Sequence, residues 1–215
     1  MAGLILESYG LSCLKITVKQ DVGEVVLLTD PLLADAGVKM PRGVTADVVV
    51  ATTVDAKQRP DTLVGGDPFI VDHPGEFEAK GIFVYGIAVP GKKGARPQTI
   101  YRLEIGDMSI AHLGSLQEAP GEQILERLSD CDILLLPVGG QGVVLSARDA
   151  MDLMTALEPR IVIPTWFALP GLSIDLDPVE KFIKESGLVP ENLERLKVAK
   201  KDLPQEETKL FVLRG

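Results

Sequence analysis

The chain has 215 residues, of which 46% are hydrophobic and 25% charged, so it is long enough to bury a core in one large domain or two small ones. Its net charge of -9 and pI of about 4.8 argue against a protein that draws nucleic acid or anionic lipid to itself, and there is no basic block to reverse that locally. No apolar run reaches the ~20 residues a membrane-spanning helix needs, and "MAGLILESYG" has neither a basic leader nor a long apolar stretch. Cys13 and Cys131 both sit in apolar surroundings and read as buried thiols in a reducing compartment. The expectation is an acidic cytoplasmic protein with no nucleic-acid or membrane partner.

In chain order, Leu4–Glu7, Leu14–Val18 and Glu24–Thr29 are predicted strands, the last two joined by a hairpin at "KQDVG". "ADVVVATTVDAKQ" (Ala46–Gln58) begins as a strand apolar enough to be covered on both faces and ends abruptly in polar residues. Phe69–Val71, Gly81–Val89, Thr99–Ile105 and Met108–Leu113 continue the strands, with a basic Pro/Gly-rich loop at "VPGKKGARP" and a tight hairpin at "IGDM". From Pro120 the period changes. Gly121–Leu128 is a short helix, and "DILLLP" (Asp132–Pro137) and "RIVIP" (Arg160–Pro164) are buried strands. Between those strands Ser146–Leu157 is a helix with Ser146 as N-cap, Asp149 in a box-like position and one apolar face made of Ala147, Ala150, Met151, Met154 and Leu157. Asp177 is predicted to cap a helix that starts at Pro178 and ends near Ser186, and Lys209–Leu213 is the last strand. No linker separates two domains. Two β-rich halves, each followed by helices, predict one α/β (α+β) domain over residues 1–215, a four-layer αββα sandwich.

Several stretches in this order resemble the metallo-β-lactamase superfamily, in its branch of bacterial Zn-dependent hydrolases similar to ascorbate-6-phosphate lactonase. They are "YGLSCLKI" (Tyr9–Ile16), "LLTDPLL" (Leu27–Leu33), "ADVVVAT" (Ala46–Thr52), "HPGEFEAKGI" (His73–Ile82), "IAHLGSL" (Ile110–Leu116), "LLLPVGG" (Leu134–Gly140) and "PRIVIPTWF" (Pro159–Phe167). The fourth of these looks like the family's proline–glycine–acid turn. The resemblance implies a metallo-β-lactamase-type sandwich and, for a standard member, one or two zinc or manganese ions held by a Thr-His-x-His-x-Asp-His motif.

The same resemblance, aligned on Thr52, sets Thr53, Asp55, Lys57 and Gln58 at the four motif ligands, Ser115 at the bridging aspartate, Trp166 at the last histidine and Leu11 at the opening one. A catalytic zinc needs about three nitrogen or carboxylate ligands and an open position, and the chain has two histidines and no Cys-x-x-Cys. A charged lysine has no lone pair to give and repels a divalent cation. The expectation is a degenerate site that binds no metal. Its protein would bind a small molecule or partner protein, or assemble with itself or an active relative; the alternative is a superfamily hydrolase with a remodelled or weak zinc or manganese site.

Of the residues left, Asp30 corresponds to the family's aspartate that orients a ligand histidine, yet turn hydrogen bonds before Pro31 explain it as well. His112 is either a hydrogen-bonded structural side chain or a base beside Ser115. His73 reads as a turn residue, Glu76 and Glu78 as ordinary strand alternation, and "VGGQG" (Val138–Gly142) as a turn without the lysine of a phosphate loop. Asp55 and Lys57 are candidates to pair with each other or with Asp30, an ammonium standing where a cation would.

Overall fold

The computed structural model describes residues 3–20, 23–31, 37–53, 60–91 and 97–214. The first half supplies β1 (Gly3–Gly10), β2 (Cys13–Gln20), β3 (Gly23–Thr29), β4 (Val48–Val50), α1 (Pro60–Leu63), β5 (Phe69–Val71), β6 (Gly75–Ala79), β7 (Ile82–Val89) and β8 (Gln98–Ile105). The second half supplies β9 (Met108–His112), α2 (Glu122–Leu128), β10 (Ile133–Pro137), α3 (Ala147–Leu157), β11 (Ile161–Thr165), α4 (Val179–Ser186), β12 (Pro190–Leu193), β13 (Arg195–Ala199) and β14 (Lys209–Leu213). Two mixed sheets result, in the orders β13-β1-β2-β3-β4-β5 and β12-β14-β11-β10-β9-β8-β7-β6. Hairpins build most of the antiparallel parts, β13 pairs antiparallel with β1 from the far end of the chain, and β3–β4–β5 and β9–β10–β11–β14–β12 run parallel.

Strand alternation explains why the sheets stack. Val48 and Val50 face the inter-sheet core with Leu6, Ile16 and Leu103, while Val49 faces outward with Cys13 and Leu28. Ile133 and Leu135 point into the same core, and Leu134 and Leu136 pack under Leu153, Leu157 and Phe182 of the helices. Helices α2, α3 and α4 cover the eight-stranded sheet. The outer face of the six-stranded sheet is covered mostly by irregular chain, including Val38, Val44 and Leu172, with the single turn of α1 among the described residues. Both thiols are buried, and no described helix is long and apolar enough to cross a membrane.

Most element boundaries fall within one or two residues of the sequence expectation, with informative exceptions. Ser146 caps α3 as expected, accepting from the Asp149 N–H, but Leu153 rather than Met151 completes the buried face. Pro178, not Asp177, stands at the N-cap of α4. The Asp177 carboxylate instead accepts from Lys181 Nζ (2.6 Å) and Gln141 Nε2 (2.8 Å), a charge-assisted pairing in place of the cap. "HPGEFEAKGI", read as a turn, contains β6, whose Phe77 turns toward the core while Glu76 and Glu78 face solvent. β12 and β13 were not expected from the sequence, although Leu196 and Val198 alternate with Arg195 and Lys197 as a half-buried strand should.

Leu135 is fully buried between the sheets, so Leu135→Ala should cost about 2–5 kcal/mol. The solvent-facing Glu78→Ala should change stability by less than about 0.5 kcal/mol. Urea unfolding midpoints at an unchanged slope are the measurement.

Candidate functional site

Parallel strands end together at one edge of the sandwich, and there the polar side chains collect. Asp30 follows β3 directly, in the left-handed region (φ 36°), its N–H bonded to the Val50 carbonyl. That places its carboxylate against Thr52, which follows β4. The Thr52 N–H donates to Asp30 Oδ1 (2.7 Å) and its hydroxyl lies 2.9 and 3.0 Å from the two carboxylate oxygens. From the other sheet His112, the last residue of β9, brings Nε2 to 2.9 Å from Asp30 Oδ2. Ser12, in the β1–β2 turn, donates a further hydrogen bond. The carboxylate is 14% exposed and the imidazole fully buried.

The next shell of contacts keeps these donors in place. Trp166, at φ 52° after β11, donates its indole Nε1–H to Ser12 Oγ (2.9 Å), and its backbone N–H bonds the carbonyl of Leu11. Thr29 donates its hydroxyl to the Ser12 carbonyl (2.6 Å). Gly114, at φ 55°, leaves no room for a Cβ, which would meet the Thr52 hydroxyl at 2.3 Å. Tyr101, fully buried in β8, donates to the Ala51 carbonyl (2.9 Å) with the Val71 carbonyl at 3.2 Å, joining one sheet to the other. Burial, then the charges of Asp30 and Asp72, push its phenol well above the ordinary value, so it remains a neutral donor.

Burial pushes the Asp30 carboxyl upward, but the charge and hydrogen bond of His112 and the donors Thr52 and Ser12 more than offset it, leaving the group below its usual value. The carboxylate is therefore the form the fold stabilises. His112 Nδ1 and Thr165 Oγ1 are buried with no hydrogen-bond partner among the described residues.

The sequence-derived candidates divide into three groups. Asp30 and His112 meet in this buried network, and Asp30 takes its partners from other strands rather than from its own turn. Thr53 and Ser115 instead line a cavity beside it. The Ser115 hydroxyl donates to Gln98 Oε1 (3.4 Å), not to His112, so no nucleophile–base pair forms there. Asp55, Lys57 and Gln58 lie outside the described residues, and with them the pairing of Asp55 with Lys57 or Asp30. Elsewhere, His73 pairs with Asp72 at the surface (2.9 Å) with its ring edge-on to Phe77. The glycine turn is structural: a Cβ on Gly139 would meet the Trp166 carbonyl at 2.0 Å. Sequence reasoning passed over Ser12, Tyr101 and Gln98, whose roles depend on partners 17 to 154 residues away.

A zinc or manganese centre does not fit the described residues. No three His, Cys, Asp or Glu side chains among them converge on one point. The imidazole nearest the strand ends is already bonded to Asp30, and Leu11, Thr53, Ser115 and Trp166 offer no imidazole, thiolate or carboxylate.

Asp30→Asn should lower stability at neutral pH by about 2–4 kcal/mol, because it removes the charge on which three donors and an imidazole converge. Since the folded-state carboxyl titrates below its unfolded value, that stabilisation is present above about pH 4 and is lost as pH falls through the lower folded value. The difference between wild type and variant in urea midpoint should thus narrow on acidification from pH 7 to pH 3.

Residues 5–166 match the model of the β-lactamase superfamily domain. A UPF0173 protein of Pyrococcus abyssi is 38% identical over 69 residues, which are 32% of this chain and 31% of that relative, so the chain covers about a third of the curated relative's length. Among solved structures, a Thermotoga maritima protein assigned to the Zn-dependent hydrolases of the metallo-β-lactamase superfamily superposes with a TM-score of 0.79 at 21% identity, over 98% of this chain and all of that one (100%). Igni18, a metallo hydrolase from Ignicoccus hospitalis, superposes with a TM-score of 0.62 at 17% identity, over 86% of this chain and 91% of its own. The structural likeness establishes the fold, and with the family match over most of its length the chain belongs to the metallo-β-lactamase superfamily.

Proposed function

We propose that this chain uses the metallo-β-lactamase scaffold without a catalytic metal, acting by binding a small molecule or a partner protein rather than by metal-assisted hydrolysis. The observation that carries this reading is the commitment of Asp30. Its oxygens are taken up by Thr52, Ser12 and His112, while the positions that resemblance assigns to metal ligands carry Leu11, Thr53, Ser115 and Trp166. Hydrolysis by the family route needs a metal that lowers the pKa of its water toward ~7, and hydroxyl, indole and aliphatic side chains do not supply that ligand field. Self-assembly, or pairing with an active relative, belongs to the same reading. A reducing cytoplasmic setting suits two buried thiols.

A second reading, a superfamily hydrolase with a remodelled or weak metal site, is favoured by the relatives. Both structural neighbours named above are described as hydrolases. In that reading Asp55 and His112 would hold the ion.

Elemental analysis of protein purified without chelator, paired with ester, lactone and phosphodiester hydrolysis assays, separates the two. The binding reading predicts well under one zinc or manganese per chain and no turnover above buffer, with or without added metal. Near-stoichiometric metal that is lost in Asp55→Ala or His112→Ala, with hydrolysis that follows it, would establish the second reading.

A further inference from the structure

Both sheets end on the same side of the sandwich. Among the described residues β5 is the last strand of the six-stranded sheet and β6 the last of the eight-stranded one, and Asp72, His73 and Pro74 join them. β6 turns back into β7 through Lys80 and Gly81, both at positive φ (54° and 75°), a two-residue turn whose twist suits a hairpin. In such a hairpin the pair flanking the turn, Ala79 and Ile82, exchanges both backbone hydrogen bonds, and the pattern alternates from there. Phe77, opposite Val84, therefore bonds to β7, while the N–H and C=O groups of Glu76 and Glu78 point away from it, toward the sheet edge.

The side chains alternate as well. Phe77 packs inward on the core, its ring 6.4 Å from that of Phe69 and 5.1 Å from that of His73. Phe69, on β5, is 45% exposed, so an apolar strip lies just inside the edge. On the outer face Glu76 and Glu78 stand in solvent opposite Tyr85 and Phe83, with Lys80 in the turn beyond them.

We propose that the β6 edge receives an extended segment of a partner protein in which lysine or arginine alternates with apolar residues. A strand added there would bond its backbone to Glu76 and Glu78, which is strand addition to a sheet edge. Its side chains would alternate with the same period of two. One set would extend the Phe69–Phe77 strip, and the other would stand directly opposite the two carboxylates, where unlike charges attract. A second copy of this chain using the same edge would set glutamate against glutamate, so charge selects a basic partner over self-pairing. The proposal goes beyond the reading of the Asp30 end of the fold, because Glu76, Phe77 and Glu78 take no part in that network.

Capped synthetic peptides test it on the full chain by NMR. One alternates lysine with valine, one alternates glutamate with valine, and one carries the lysines and valines of the first in two separate blocks. The alternating lysine peptide should slow amide exchange at Glu76 and Glu78 roughly tenfold or more, and leave Phe77, already bonded to β7, unchanged. It should also bind roughly tenfold more tightly than either control, and the exposed double substitution Glu76→Lys with Glu78→Lys should reverse the preference toward the glutamate peptide. The proposal is overturned if no peptide binds, if a control binds as tightly, or if binding leaves those two amides unprotected. It is equally overturned if the charge-reversed variant still prefers lysine, or if the two amides are protected without peptide as protein concentration rises, which would make a second copy the occupant. None of these outcomes bears on metal content, which the elemental analysis reports separately.

Discussion

The Asp30 carboxylate is the constraint on which the functional end of this fold depends. A carboxylate taken out of water is costly unless its oxygens are met by donors. Here they are met from the end of β4, the end of β9 and the β1–β2 turn, two of these in the six-stranded sheet and one in the other. Each donor then needs its own support. Trp166 holds Ser12, and Gly114 leaves the space that Thr52 occupies. Tyr101 adds a second polar tie across the sheets, where hydrophobic packing alone would set no register.

That arrangement gives the Asp30 carboxylate donors from three separate parts of the fold. In the family this chain resembles, the corresponding aspartate orients an imidazole toward an ion. Here the same carboxylate orients a threonine, a serine and one fully buried histidine, and among the described residues the neighbouring cavity takes its polar lining from Thr53, Gln98, Ser115, Gln117 and Glu118.

The sequence made the layers and most of the strands legible because they rest on local patterns. The three consecutive valines of β4, the leucine run of β10 and the capping serine of α3 each carry their own signal. β6 was hidden by a proline and glycine that resemble a turn, and β13 by charged residues on its exposed face. The site was legible in outline: Asp30, His112, Thr53, Ser115 and Trp166 all come to one end of the sandwich. Their pairing was not, since nothing local tells that Asp30 reaches His112 across 82 positions, or that Ser115 turns to Gln98 instead of His112. The capping role expected of Asp177 failed for a related reason, as a lysine four residues on competed for the same carboxylate.

Crystals soaked in zinc or manganese and measured at the metal absorption edge test the central claim most directly. The account predicts no anomalous peak within coordinating distance of Asp30, Thr53, Ser115 or His112, with the Asp30–His112 contact intact. A well-occupied peak there, with His112 or Asp55 turned to ligate it, would contradict the account and return the chain to the metal-dependent hydrolases of its superfamily.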